Sequence, residues 1–369
     1  MATPIESMMN VLSALMSPDN AARKAAEAYF SQELQRDCMS TIQIILNIFS
    51  NAAGNVDYVL RDFSGVLLRR AVEKAQFPPE HNAELRGILI TLWKNESNTG
   101  LLKRLAHVMA QSAMNSSWVD LLPQVVGNVS SQLEAGIAPE SVVSPALLLV
   151  EVVAEYCPQD ILTHMQVLGG FLSSQLGSPA PAIQVSCAKC TGACIVALED
   201  DAAREAFKPA IQPIIGILGA ALNRGDETDA SAITAYLVAI AEVQPIFFKG
   251  NLDAVVAAML SVAQTEALDF PTRSIALELM VTLTESAPAL TRRCAGLING
   301  LVPLAMSIML DVDETEAEWA GQSYADEPQE ENYYVGEEAI ERTAAGMGCR
   351  TLAPPLLAQV QAFAGNPDW

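Results

Sequence analysis

Capping and turn signals recur along this chain at a nearly constant interval, and that interval limits the fold more than any other feature. SPDNAARKAAEAYF starts at Ser17, NVDYVLRDFSGVLLRRAV at Asn55 and SNTGLLKRLAHVMAQSA at Ser97. PESVVSPALLLVEVVAEYCP follows at Pro139, PAPAIQVSCAKCTGACIVALED at Pro179, DETDASAITAYLVAIAEVQP at Asp226 and LDFPTRSIALELMVTLTESAP at Leu268. The starts lie roughly 38 to 47 residues apart. Each segment begins with capping or turn residues (Ser, Asp, Asn, Pro) and carries apolar side chains at three- and four-residue spacing, as an amphipathic helix does.

Between these segments lie other helical stretches, among them MSTIQIILNIFS, AELRGILITLWKN, LLPQVVGNVSSQL and LDAVVAAMLSVAQ. We term these A helices and the segments above B helices. Neither helix of a pair can bury its whole apolar face, so stacking on the next pair completes the core. A two-helix unit of this period is the HEAT repeat. The expected fold is all-α: a HEAT-repeat, right-handed superhelical solenoid of antiparallel helix pairs, a single solenoid over residues 1–369 with about eight and a half repeats. Pro123, Pro145, Pro213 and Pro303 fall in helical stretches and are expected to bend them by removing a backbone bond.

Two places break the rhythm. After LVPLAMSIMLDV the next B helix, GEEAIERTAAGMGCRTLAP, is expected near Gly336, about 25 residues late. The excess is an acidic stretch, and residues 311–335 are expected to form a loop inserted in the eighth repeat. A loop of that length is either functional or disordered. The second break is Asn366-Pro367-Asp368-Trp369, which echoes Ser17-Pro18-Asp19-Asn20 at the first B helix. The expectation is a longer solenoid truncated within repeat nine, whose A helix LLAQVQAFA lacks its partner.

Charge narrows the partners. The net charge is −22, and twelve of the 43 acidic residues fall in 311–341, which holds no Lys or Arg. Such a surface repels nucleic-acid phosphates and anionic lipid heads and suits basic proteins. No basic n-region or small-residue cleavage site marks MATPIESMMNVLSAL as a signal peptide. PALLLVEVVAEY is cut by Glu151 and Glu155, so no apolar run reaches membrane-spanning length. Seven cysteines, mostly within helical patterns, point to reduced thiols.

No residues support catalysis, a metal or a cofactor, and the chain is read as a non-enzyme. Cys187, Cys190 and Cys194 share a helix face, without the knuckle loop or fourth ligand of a zinc site, and are read as buried packing residues. His81, His107 and His164 lie far apart with no acid or nucleophile at a recognisable spacing. Gly346-Met347-Gly348 lies inside a helical pattern and is no phosphate loop. Asp311, Asp313 and Thr315 resemble the start of a calcium loop, but Glu316 stands where Gly is required and Gln322 where Glu is.

Two surface features remain. Arg23 and Lys24, then Arg61, Arg69 and Arg70, then Lys103 and Arg104 gather on early B helices. They either brace neighbouring repeats through acidic partners or form a binding strip on the concave face. The acidic stretch carries Trp319, Tyr324, Tyr333 and Tyr334 among its carboxylates. It is either a solvated tether or a clamp for a basic partner through charge-assisted bonds and stacking.

In SPDNAARKAAEAYF, VLLRRAV, TRSIALELMVTLTESAPAL, MLDVDETEAEWA, GEEAIERTAAGMG and NPDW the chain resembles the importin-β (karyopherin-β) superfamily, most closely its importin five, or karyopherin beta three, branch. The resemblance implies the N-terminal part of a nuclear transport receptor, shuttling between cytoplasm and nucleus. Its partners would be the small GTPase Ran in its GTP form, basic cargo proteins and Phe-Gly nucleoporins, with no nucleic acid and no membrane; it would act as a monomer. It also implies a Ran-binding strip of Arg23, Lys24, Glu27, Asp57, Arg61, Ser64, Leu68 and Lys103. The acidic loop would add Asp311, Asp313, Glu314, Glu316, Glu318, Trp319, Asp326, Glu327, Glu330 and Glu331. Arg61, Ser64 and Leu68 fall on one helical face, which makes a shared contact surface reasonable. The competing reading is a generic HEAT scaffold subunit of a phosphatase or chromosome-organising complex.

Overall fold

The computed structural model describes residues 3–51, 54–75, 77–310 and 332–365. The acidic stretch 311–331, with every loop residue named above, and the closing 366–369 lie outside the described residues. Among the described residues every regular element is a helix, grouped into two compact units, Met1–Phe171 and Leu172–Trp369.

The first unit runs α1 (Pro4–Leu15), α2 (Asn20–Arg36), α3 (Cys38–Phe49), α4 (Tyr58–Lys74), α5 (Pro79–Asn95), α6 (Thr99–Ser116), α7 (Leu121–Glu134), α8 (Pro139–Tyr156), the short α9 (Pro158–Thr163) and the start of α10 (Met165–Leu176). Consecutive helices pack as hairpins, α1 on α2, α3 on α4, α5 on α6 and α7 on α8. From the second pair onward the second members stack on one another, α4 on α6 and α6 on α8. Side-chain caps set the boundaries. Asp19, Asp57 and Asn98 each accept a backbone N–H from the first turn that follows, satisfying donors that the helix leaves orphaned. These caps sit one or two residues beyond the segment starts read from the sequence.

The second unit repeats the plan with α11 (Pro181–Ala197), α12 (Asp201–Glu205), α13 (Ile211–Asn223), α14 (Glu227–Val243), α15 (Leu252–Ala263), α16 (Phe270–Ser286), α17 (Pro288–Thr291), α18 (Ala295–Ile308), α19 (Asn332–Met347) and α20 (Cys349–Ala364). Here α11, α14, α16 and α19 stack in order, and so do α13, α15, α18 and α20. The core lies between the two rows. Val255, Met259, Leu279 and Leu301 are fully buried there, and Ile298, Val302, Met347 and Leu352 close its far end. Complete burial of each such side chain stabilises the fold by about 2 kcal/mol.

Several expectations need correction. The B helix expected near Gly336 already includes Asn332–Val335, so the loop expected over 311–335 extends no further than 331. Tyr333 and Tyr334 in this first turn meet edge to face, ring centroids 5.4 Å apart. Pro123 and Pro213 occupy the third positions of α7 and α13, where no intrahelical N–H bond exists to lose. Pro145 and Pro303 do lie inside their helices. Gly346 is required by packing: a Cβ there would meet Thr284 O at 2.6 Å, so α19 can lie against α16 only without a side chain at that point. Gly348, at φ +81°, makes the left-handed turn into α20.

Candidate partner-binding surface

The basic residues of the first unit divide into braces and exposed cations. Arg104 on α6 is a brace: its Nε and Nη2 donate to Asp62 Oδ1 and Oδ2 on α4 at 2.8 and 3.0 Å, a bidentate pair between stacked repeats. Arg61 is another. It donates from Nε to Phe49 O at 2.7 Å and pairs with Glu96, tying α4 to its own hairpin and to the following one. Arg23 closes its own turn, donating from Nη1 to Ser17 O at 2.8 Å and from Nη2 to Asn20. Asp57 is the exposed cap of α4, accepting from Leu60 N at 2.8 Å.

Ser64 and Leu68 are both 0 % exposed. They do share a face with Arg61, as helical spacing requires, but that face packs inward between α3 and α6. The neighbouring Gly65 shows how tightly: a Cβ on it would stand 2.8 Å from Arg104 Cβ and 3.0 Å from Phe49. Ser64 Oγ donates to Arg61 O within its own helix. The pair therefore leaves the proposed contact strip. Lys24 and Glu27 on α2, Arg70 on α4 and Lys103 on α6 are exposed.

A second group was not singled out as a site by spacing. Arg69 Nη1 donates to the Tyr156 hydroxyl at 2.7 Å, although these residues belong to α4 and α8 with α6 between them. The Tyr156 ring meets His107 of α6 edge to face, centroids 5.8 Å apart. His107 is held below its ordinary value, first by burial and further by the Arg69, Lys103 and Arg104 charges, with Glu155 opposing them. Its Nδ1 is buried without a hydrogen-bond partner. Tyr156 is the last residue of α8, directly after Glu155, so only its stacking position gives it away. In this corner the charges acting on His107 are one carboxylate, Glu155, and three cations, Arg69, Lys103 and Arg104. Its chemistry suits a partner's carboxylates.

In the second unit Arg342 of α19 lies among three carboxylates. It donates to Glu278 at 2.8 and 2.9 Å and to Glu285 at 2.7 and 3.1 Å, both on α16, and pairs with Glu338 at 3.5 Å. Lys189 and Asp229 link α11 to α14 at 3.7 Å. Cys187, Cys190 and Cys194 are all buried, as packing residues should be. Cys187 Sγ donates to Leu172 O at 3.2 Å, and burial pushes its thiol up to about 12.

Comparison with known proteins agrees with this architecture. A family profile described as IPO5-like, TPR repeats, matches residues 101–258, and a second, Importin repeat, matches 265–354. The chain belongs to the importin-β superfamily, and its residues 101–258 are importin-five-like. Importin subunit beta-3 of Saccharomyces cerevisiae is 23% identical over 386 residues, covering 98% of this chain and 34% of the yeast protein. Kap121p bound to RanGTP superposes with a TM-score of 0.82 at 20% identity, over 100% of this chain and 35% of that one. Kap121p bound to Nup53p gives 0.80 at 20% identity, over 100% and 36%. This importin chain thus spans about a third of the length of the relatives it matches. Its fold is the HEAT-repeat helical solenoid of that family.

Proposed function

We propose that this chain is the Ran-binding part of a nuclear transport receptor. The carrying observation is the run of exposed Lys24, Arg70 and Lys103 on α2, α4 and α6 of a chain that aligns along its whole length with Kap121p, a protein crystallised with RanGTP. Arg69, His107 and Tyr156 extend this surface onto α8. Ran in its GTP form presents carboxylates to these cations. The acidic residues between Asp311 and Glu331 grip a basic patch on the same GTPase, so that the complex has charge complementarity of both signs. Basic cargo proteins and Phe-Gly nucleoporins are the other partners of the whole receptor, which moves between cytoplasm and nucleus through the pore. Kap121p has also been crystallised with Pho4p and with Nup53p, which supports those two partner classes.

Cargo release follows from population shift. Ran bound to early repeats favours one stacking geometry, and a solenoid with mainly neighbour contacts changes pitch by small shifts summed along the stack. The test is a titration with Ran loaded with GTP or GDP at matched salt, repeated with residues 311–331 deleted. Tighter, salt-sensitive binding of the GTP form, weakened by the deletion, is expected. Equal affinity for the two nucleotide forms sinks the reading.

A further inference from the structure

We propose that Arg69, Lys103 and Tyr156, on α4, α6 and α8, receive a phosphate monoester carried on a side chain of a partner protein. The inference goes beyond Ran binding and does not rest on it. Arg69 Nη1 donates to the Tyr156 hydroxyl at 2.7 Å, and among the described residues the guanidinium makes no second hydrogen bond. The hydroxyl accepts in that bond and keeps its own hydrogen to donate. The bond spans α6, so it brings donors from α4 and α8 to the stretch of α6 whose His107 ring meets Tyr156. Lys103 is exposed one turn before His107 on the same face, with its ammonium on a flexible stem.

The number of donors and charges selects the ligand. A carboxylate brings one charge and two oxygens, whereas a phosphate monoester brings nearly two charges and three strong acceptor oxygens. Arg69, Lys103 and Arg104 act on the His107 ring against one carboxylate, Glu155. Arg104 is committed to Asp62, which leaves Arg69 and Lys103 to answer a dianion. Glu155 is exposed beside Tyr156 and opposes any anion there, so a weakly charged ligand gains little. The net charge of −22 repels a nucleic-acid strand, all of whose phosphates must approach the chain. A single phosphoryl group on a flexible protein segment meets mainly the local charges, because salt screens the rest. His107 reports on the site. Its Nδ1 is buried without a partner, so the charge state of the ring answers to its surroundings rather than to a hydrogen bond.

The test uses the full chain and needs no GTPase, so it fails or succeeds independently of the Ran reading. Capped Gly-Gly-phosphoserine-Gly-Gly, its serine and glutamate counterparts and inorganic phosphate are titrated by calorimetry at about pH 7.5, where the phosphoryl group is a dianion. The histidine ring signals are followed by NMR, with that of His107 assigned from His107→Gln. The phosphopeptide should raise the His107 midpoint and leave His81 and His164 in place, and it should bind at least about tenfold more tightly than the glutamate peptide. Arg69→Gln should weaken it about tenfold, whereas Glu155→Gln, an exposed substitution, should tighten it, a gain that misfolding cannot imitate. An unmoved His107 midpoint, equal binding of the glutamate peptide, or unchanged affinity in R69Q or E155Q overturns the proposal. So does inorganic phosphate binding as tightly as the phosphopeptide, which would make the corner a free-phosphate site.

Discussion

Arg104 holds both carboxylate oxygens of Asp62, 42 residues earlier and one repeat away. That spacing is the repeat period seen as a chemical bond. Intervals of 43 and 42 residues recur between Asn115 and Val72 and between Glu227 and Asp269 N, so the stack is registered by hydrogen bonds as well as by apolar packing.

A double-mutant cycle on Asp62→Asn and Arg104→Gln measures the first of these links. Both side chains are partly exposed, so solvent screening limits the coupling to about 1 kcal/mol, above the median for surface pairs because the geometry is bidentate. Urea unfolding of the four proteins reads it; coupling indistinguishable from zero would mean the pair only decorates the stack.

Position decides what the strip residues tolerate. Ser64→Lys forces a charge into a fully buried site and should cost about 3 kcal/mol or more, seen as a large fall in the urea midpoint. Lys103→Glu, exposed on α6, should change stability by less than about 0.5 kcal/mol yet weaken Ran·GTP binding about tenfold in a pull-down titration. Unchanged binding in K103E removes that residue from the interface.

His107 carries a pH signature. Because burial holds its folded value below the ordinary 6.5, the folded chain takes up that proton less readily than the unfolded chain. As pH falls through 6.5 the contribution of this group to stability therefore declines, until its own lower value is passed. The variant His107→Gln should gain on the parent protein in urea midpoint as pH drops across that window. A parallel pH dependence of the two proteins contradicts the assignment.

Thiol chemistry separates the cysteines. Cys349, exposed at the start of α20, should react with iodoacetamide in the folded protein. Cys187, buried and raised to about 12, should stay unmodified until the chain unfolds. Peptide mass mapping over time distinguishes them, and early labelling of Cys187 would mean that α11 opens locally.

The period exposed the B helices to within a few residues because cap chemistry and apolar spacing are local, as Asp57 and Asn98 show. The short α9, α12 and α17 escaped, since one or two turns after Cys157, Asp200 and Ala287 carry no periodic signal. Ser64 and Leu68 were misjudged for a different reason. Spacing reveals which residues share a face but not which side of the stack the face meets, and Ser64 is small and polar enough to suit either. Arg69 and Tyr156 sit 87 residues apart, beyond any motif, and only the stacking of three helices brings them together.

That last contact changes how the first unit should come apart. Solenoid repeats touching only their neighbours unravel one by one from an end, like a chain of independent switches with pairwise coupling. The Arg69–Tyr156 bond skips a repeat, so the α4, α6 and α8 hairpins are latched as a block of three. Hydrogen exchange should register those helices with a shared opening free energy, and a Tyr156→Phe variant should split the block into staggered steps.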